Sequence, residues 1–144
     1  MRKEFEQYIK DYGLENVVLM GFQPHKKISD FYTAADVLVL PSEHETWGIV
    51  VSEAMCFGLP VIVSDRVGAG VDLVKNGYNG FIFPVGDAEK FSEAVKKVMD
   101  LSKEEKQLFD QRSLGIITQW VNDSDLMPKI LNLLGLLKSS RKQL

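Results

Sequence analysis

Short apolar runs rich in β-branched residues alternate along this chain with stretches in which apolar residues recur every three or four positions. The first pattern is typical of β-strands and the second of amphipathic helices. Four runs predict strands: "NVVLMG", "DVLVLP", "VIVS" and "FIFP". Because "DVLVLP" contains a continuous apolar run, we expect it to form a strand that is buried on both faces of a parallel sheet.

Helical spacing predicts helices before, between and after these strands. The first, "RKEFEQYIKDYG", should stop at Gly13. Further helices are predicted within "KISDFYTAA", "WGIVVSEAMCFG", "GVDLVKNG" and "AEKFSEAVKKVMD", and over about 103–119 and 124–137. Gly58 and Pro60 should end the helix within "WGIVVSEAMCFG", and Asp87 should cap the helix within "AEKFSEAVKKVMD". The glycines of Gly68–Gly70 predict a turn that leads into the helix within "GVDLVKNG".

The order strand–helix–strand, repeated three times, predicts an α/β fold with a Rossmann-like, doubly wound parallel sheet. In such sheets, ligands bind beyond the carboxyl ends of the strands. The loop 41–48 leaves the end of one predicted strand and enters a helix, so it is the place where we expect a functional site. At 144 residues the chain is predicted to be a single domain, 1–144, with a helical carboxyl-terminal extension over 101–144.

Charge and cysteine content narrow the choice of function and compartment. A formal net charge of -3 argues against binding to nucleic acid, which requires a basic surface. The one cysteine, Cys56, excludes an intramolecular disulfide and fits a reducing cytosol, and we interpret it as a small buried apolar residue.

Two stretches were assessed as a signal peptide or as a membrane-spanning segment. "MRKEFEQYIKDYG" has no apolar core like that of a signal peptide, and "ILNLLGLL" is too short to span a bilayer. We therefore predict a cytoplasmic protein with, at most, peripheral contact to the inner face of a membrane through its basic tail, "KSSRKQL".

Two glutamates flank a predicted helix start within "PSEHETWGIVVSEAMCFGLPVIVSD". Helix N-termini offer free N–H groups to phosphates, and Gly48 would let a phosphate approach the amides of Ile49 and Val50. Glu53 would lie about 7–8 Å further along the helix axis, at about 1.5 Å per residue, where a carboxylate can accept hydrogen bonds from two ribose hydroxyls. Glu45 would then face the group at the far end of the diphosphate. This spacing describes a nucleotide-sugar.

A structural interpretation of the same residues is also open. Glu45 could be an acid favoured by the helix dipole, and Glu53 a solvated residue on the helix surface. Two acids near a helix start are common, so spacing by itself does not choose between the interpretations.

With its flanking stretches, this segment resembles the carboxyl-terminal, donor-binding domain of the retaining GT-B glycosyltransferases, the glycosyl transferases group 1 family. The resemblance extends from about Val17 to Met99 and includes "VVLMGF" and "NGYNGFIFPVGD". Ten positions match the family motif in order: Pro41, Ser42, Glu45, Gly48, Glu53, Ala54, Met55, Gly58, Pro60 and Val61. A match of this extent is more specific than an isolated glycine-rich motif.

The resemblance implies a role for each site residue. Glu45 corresponds to the catalytic acid beside the donor sugar and Glu53 to the acid that holds the ribose. The diphosphate would be held by Gly48, Ile49 and Val50, the nucleobase would lie near Gly21 and Phe22, and Trp47 stands where many members carry Phe. Asp72 stands where members usually carry Glu, and its role is left open.

The resemblance also implies a hexosyltransferase that takes a nucleoside-diphosphate sugar as donor and needs neither metal nor other cofactor. Family members are longer than this chain, which corresponds to their final part and is incomplete at its amino end. An amino-terminal domain would bind the acceptor, a growing glycan or a lipid-linked sugar. It would be accompanied by a first strand and loop that bring an Arg and a Lys to the diphosphate. We therefore expect this chain to be inactive by itself.

Two alternative functions remain. The chain could be a non-catalytic nucleotide-binding module or a truncated product, which would not regain transfer when an amino-terminal half is added. It could also be a sugar-nucleotide epimerase, whose product would be an isomerised donor. "DSD" at Asp123–Asp125 resembles a metal-binding motif but precedes a predicted helix, so we interpret it as a cap. "EHE" at Glu43–Glu45 lacks the further ligands that a metal site requires.

Overall fold

The computed structural model of the chain describes residues 2–123. The chain divides into two compact units, Met1–Phe31 and Tyr32–Leu144. Nine elements follow one another: α1 (Arg2–Asp11), α2 (His25–Ala34), β1 (Leu38–Leu40), α3 (Ile49–Cys56), β2 (Val61–Ser64), α4 (Gly68–Leu73), β3 (Gly80–Phe83), α5 (Ala88–Met99) and α6 (Lys103–Asp123). The helix predicted over 124–137, most of the "DSD" motif and the basic tail lie outside the described residues.

The first unit contains α1, whose predicted end is confirmed. Gly13 has a positive φ of 61°. Helices commonly end at a residue in this left-handed conformation, which glycine adopts without strain. The aromatic stripe that predicted the helix remains accessible, since Phe5 and Tyr8 are each 54% exposed. Tyr8 and Tyr12 stack on each other at 4.4 Å between ring centroids.

The strand predicted at "NVVLMG" is wrong, because residues 17–21 have no regular secondary structure. A strand exists only through hydrogen bonds to a neighbouring strand. The sheet that the structure describes contains β1, β2 and β3, and none of them pairs with this stretch. Val18 is accordingly 72% exposed. The apolar pattern of this stretch was therefore not sufficient to predict a strand.

The second unit is built on a parallel three-stranded sheet in the order β1-β2-β3, which confirms the predicted α/β fold. The central strand β2 is buried at all four positions. By contrast, β1 is half-buried along its length, so the prediction of a strand covered on both faces is wrong for it. β1 is less buried than β2 because it is an edge strand of the described sheet.

Helix α5 covers the sheet through apolar side chains. Ile62, Phe83, Ala94 and Val98 form a buried cluster that joins β2 and β3 to α5. The carboxylate of Asp87 accepts a hydrogen bond from the Lys90 N–H at 2.9 Å, which confirms the predicted cap of α5.

Helix α3 turns Val51, Ala54 and Met55 completely inward and ends before Gly58, whose φ of 81° confirms the predicted stop. Cys56 lies on the outer side of this helix and is exposed, so our interpretation of it as a buried residue is wrong. It follows the two buried residues Ala54 and Met55, and the helical turn carries it away from the core.

Two further helices differ from their predictions in extent. Gly68–Gly70 form the first turn of α4 and not a turn that precedes it. Helix α6 reaches Asp123, several residues beyond the predicted end, and packs against α3. The buried Ser113 hydroxyl of α6 donates a hydrogen bond to the carbonyl of Leu59 at 2.9 Å, just beyond the end of α3. Among residues 2–123, none of the helices is long and apolar enough to cross a membrane.

Candidate functional site

The loop between β1 and α3 is held in place by its backbone. The Glu45 N–H donates to the carbonyl of Arg66 at 3.2 Å, and the Glu45 carbonyl accepts from the Gly68 N–H at 3.0 Å. Two residues further on, the Trp47 carbonyl accepts from the Ala69 N–H at 2.7 Å. The loop after β1 is therefore joined to the segment after β2, and the position of Glu45 is set by main-chain contacts at the carboxyl end of the sheet.

Gly48 is required here by conformation and by packing. Its φ is 90°, in the left-handed region, and it immediately precedes α3. A Cβ at this position would lie 3.0 Å from Val67 Cγ1 and 3.2 Å from Leu40 Cδ2. The sequence suggested that a phosphate approaches this glycine. The structure shows that the fold needs a glycine here even without a ligand, because of its backbone conformation and its close neighbours.

The amino end of α3 is open to an anion. Gly48 has no side chain, so the first turn has no side-chain cap. The first helical residue, Ile49, is 65% exposed. Uncapped N–H groups at an accessible helix start carry a partial positive charge and lack acceptors.

Glu45 is half-buried and lies beside this helix start. Its Cγ is 3.3 Å from the point that a Cβ on Gly48 would occupy. Among residues 2–123, no hydrogen-bond or ion-pair partner holds its carboxylate. The structure thus brings Glu45 close to Gly48, next to the start of α3 at Ile49 and Val50. The roles of these residues toward a sugar and a diphosphate stay a prediction.

Glu53 is also half-buried and lies one turn after Ile49 on the same face of α3. Its Oε2 accepts a hydrogen bond from the Tyr32 hydroxyl at 2.9 Å. The Tyr32 ring, in turn, stacks on Phe57 at 5.4 Å between centroids. Burial, followed by the hydrogen bond to Glu53 and by its charge, raises the pKa of Tyr32 to about 12. Glu53 is therefore oriented by a partner and is not simply a solvated acid.

Sequence reasoning treated Tyr32 only as an apolar position on a helix and missed this contact. The hydroxyl on an otherwise buried ring was the available signal, because a buried Tyr O–H usually finds a hydrogen-bond partner. The partner itself, twenty-one positions along the chain, could not be read from spacing.

Trp47 has a second contact that was not foreseen. Its ring stacks on Trp120 of α6 at 5.3 Å between centroids and 29° between planes. The side chain therefore ties the loop before α3 to the long helix α6. A role of Trp47 in donor binding stays a prediction.

Gly21 and Phe22, predicted to lie near a nucleobase, belong to the first compact unit. Gly21 has a φ of 64°, and a Cβ there would lie 2.8 Å from Arg2 Nη1. Phe22 is 95% exposed, so its ring is available to a ligand or to another surface. Their role also stays a prediction.

A pocket of about 430 Å³ opens at the carboxyl ends of the three strands and is lined by Glu43, His44, Arg66, Val85 and Gly86. Its one guanidinium, that of Arg66, is exposed and lies 3.8 Å from a carboxylate oxygen of Asp65. Sequence reasoning missed Arg66 as a candidate cation. The rule that sites lie beyond strand ends would have found it, because Arg66 comes two residues after β2.

Metal-binding side chains do not gather at this site. Within the part of the chain that the structure describes, no group of three or more His, Cys, Asp or Glu residues could hold a metal ion. A metal-independent reaction stays a prediction.

Comparison with known proteins identifies the family of the chain. The model of the family described as Glycosyl transferases group 1 matches residues 1–112. The chain belongs to this family. Among its group 1 relatives is the alpha-D-kanosaminyltransferase of Streptomyces kanamyceticus, which is 30% identical over 100 residues, 69% of this chain and 26% of the relative.

Solved structures of glycosyltransferases share the fold. HepE of Anabaena, solved in complex with UDP and glucose and with UDP-glucose, superposes with a TM-score of 0.77 at 28% identity over 94% of this chain and 36% of that protein. The carboxyl-terminal domain of the group 1 glycosyltransferase LpcC from Francisella tularensis superposes with a TM-score of 0.72 at 23% identity, over 82% of this chain and 60% of that domain. The chain thus spans less than two thirds of each of these three proteins.

Proposed function

We propose that this chain is the donor-binding part of a retaining glycosyltransferase that moves a hexose-type sugar from a nucleoside-diphosphate sugar to an acceptor. The observation that carries the proposal is the uncapped start of α3, which has Glu45 beside Gly48 and Glu53 one turn into the helix. The group 1 relationship, and the UDP and glucose bound by the HepE neighbour, support it.

The amides at the start of α3 would hold the diphosphate, because oriented N–H groups stabilise a negative charge at no cost of reorganisation. Glu53 would accept hydrogen bonds from the ribose hydroxyls. Glu45 would orient the sugar at the other end of the diphosphate. Trp47, Gly21 and Phe22 complete the proposed donor contacts.

In the proposed reaction the acceptor hydroxyl attacks on the face of the sugar that the diphosphate leaves, so the anomeric configuration is retained without a protein nucleophile. The bond to the diphosphate breaks as the bond to the acceptor forms, and the acceptor proton passes to a diphosphate oxygen. The developing charge on the diphosphate is what the helix start must stabilise. Neither a metal nor another cofactor takes part.

The acceptor, a glycan or a lipid-linked sugar, would be bound by an amino-terminal domain outside these residues. We propose that the 144-residue chain binds the donor but does not transfer the sugar by itself. Addition of the amino-terminal half of a group 1 glycosyltransferase in trans would then restore transfer. A non-catalytic module would gain no activity from it, and an epimerase would yield an isomerised nucleotide-sugar and not a glycoside.

Calorimetric titration with a panel of nucleoside diphosphates and their sugars tests the proposal. We expect at least one diphosphate to bind, and its sugar conjugate to compete for the same site. If the chain binds none of the panel, the donor-binding proposal fails. The identity of the ligands that bind would also name the base and the sugar.

A further inference from the structure

The Tyr32 hydroxyl donates a hydrogen bond to Glu53 Oε2 at 2.9 Å, and Tyr32 is not among the residues proposed to bind the donor. Tyr32 is the aromatic residue of α2 that faces the core, with 9% of its surface exposed. A hydroxyl on such a ring has few directions in which to point, so the position of its oxygen is set by the packing of the ring.

The packing that fixes Tyr32 comes from the same helix that carries Glu53. The ring stacks on Phe57, four residues after Glu53, with 30° between the planes. Residues four apart lie on one face of a helix. Tyr32 therefore covers the end of α3: its ring meets Phe57, the residue that follows the helix, and its hydroxyl meets Glu53.

A free glutamate side chain samples several rotamers, and fixing it on a ligand costs rotamer entropy. The Tyr32 hydroxyl removes part of this cost before any ligand arrives, because it holds Oε2. The other oxygen, Oε1, is left to accept from a ligand, and Oε2 keeps a second lone pair. The raised pKa of Tyr32 is consistent with a protonated hydroxyl that serves as a permanent donor.

We infer that Tyr32 is a positioning residue: it pre-orients the Glu53 carboxylate for the vicinal hydroxyls of the donor ribose and so contributes to the preference for nucleotides that carry both. This inference rests on the proposed function, because it requires Glu53 to face the ribose. Tyr32 itself does not touch the ligand.

The test compares the affinities of the chain for UDP and for 2′,3′-dideoxy-UDP, which differ only in the ribose hydroxyls. Tyr32→Phe keeps the ring and its stacking on Phe57 and removes only the hydroxyl. We expect the variant to lower the preference for UDP by about tenfold, the factor that corresponds to one hydrogen bond. Tyr78→Phe is the matched control, since this tyrosine packs under Arg112 at 4.2 Å, and it should leave the preference unchanged.

The Glu53→Ala background separates positioning from a general structural effect. If Tyr32 acts only through Glu53, Tyr32→Phe changes nothing further once the carboxylate is gone. An equal effect in both backgrounds, or an unchanged preference in Tyr32→Phe while Glu53→Ala loses it, overturns the inference and leaves the proposed function intact. If the wild type binds both nucleotides equally well, the ribose role of Glu53 fails and the inference fails with it, whereas the donor-binding proposal stands. If the wild type binds neither nucleotide and no other diphosphate of the titration panel, the donor-binding proposal itself fails.

Discussion

At the scale of single residues, the site depends on groups whose geometry is fixed before a ligand binds. Gly48 is held at a positive φ in a space bounded by Val67 and Leu40, and Glu53 is held by Tyr32. Motif residues are thus held in place by residues outside the motif.

Gly48→Ala should destabilise the fold by about 2–4 kcal/mol, because it combines left-handed backbone strain with close contacts to two side chains. Gly77→Ala is the matched control, since Gly77 also has a positive φ, of 70°, but a Cβ there meets nothing within 4 Å. The control should lose only the strain, about 1–2 kcal/mol. Urea denaturation measures both values, and equal losses would show that the space around Gly48 relaxes freely.

Tyr32 should lose its hydroxyl proton at a higher pH than an ordinary tyrosine. Its pKa of about 12 lies above the usual 10.0, so the protonated hydroxyl is favoured by the folded state. Its contribution to stability is therefore fully present below about pH 10 and is lost as pH rises through about 12. Ultraviolet titration of tyrosinate should show a transition near pH 12 that belongs to Tyr32. Tyr32→Phe should remove that transition, and its persistence in the variant would contradict the assignment.

At the scale of elements, local pattern predicted α1, α5 and the strands β2 and β3, because their apolar spacing and end signals agree with each other. It failed for residues 17–21, where strand formation depends on a neighbour that the described sheet does not supply. It could not predict the Tyr32–Glu53 bond or the Trp47–Trp120 stack. Both join residues distant in sequence, and spacing along one element carries no information about them.

The Trp47–Trp120 stack should couple the loop before α3 to α6. A double-mutant cycle with Trp47→Leu and Trp120→Leu should give a coupling free energy of about 0.5–1.5 kcal/mol, as expected of an aromatic pair. These are the two tryptophans of the chain, so near-ultraviolet circular dichroism should lose its coupled signal in either single variant. Fully additive losses of stability would show that the two rings act independently.

At the scale of the whole molecule, a parallel sheet brings the loops after its strands to one edge, and the candidate site lies there. The motif predicted Glu45, Gly48 and Glu53, and the structure places all three around the start of α3. Arg66, which lines a pocket at the same edge of the sheet, was not predicted, because it follows the second strand and stands outside the motif. The three compared proteins are longer than the match, so the transfer reaction is a property that we propose for the whole enzyme.

In the proposed site, α3 binds a nucleoside diphosphate and Glu53 holds its ribose. Calorimetry with the nucleoside diphosphate that binds most tightly in the panel measures this binding on the wild type, on Glu53→Ala and on Glu89→Ala, which removes an exposed first-turn acid from another helix, α5. We predict that Glu53→Ala loses about 1.5–3 kcal/mol of binding free energy, roughly a 10- to 150-fold weaker affinity, while Glu89→Ala binds as the wild type does. Equal affinity of Glu53→Ala and the wild type would contradict the account.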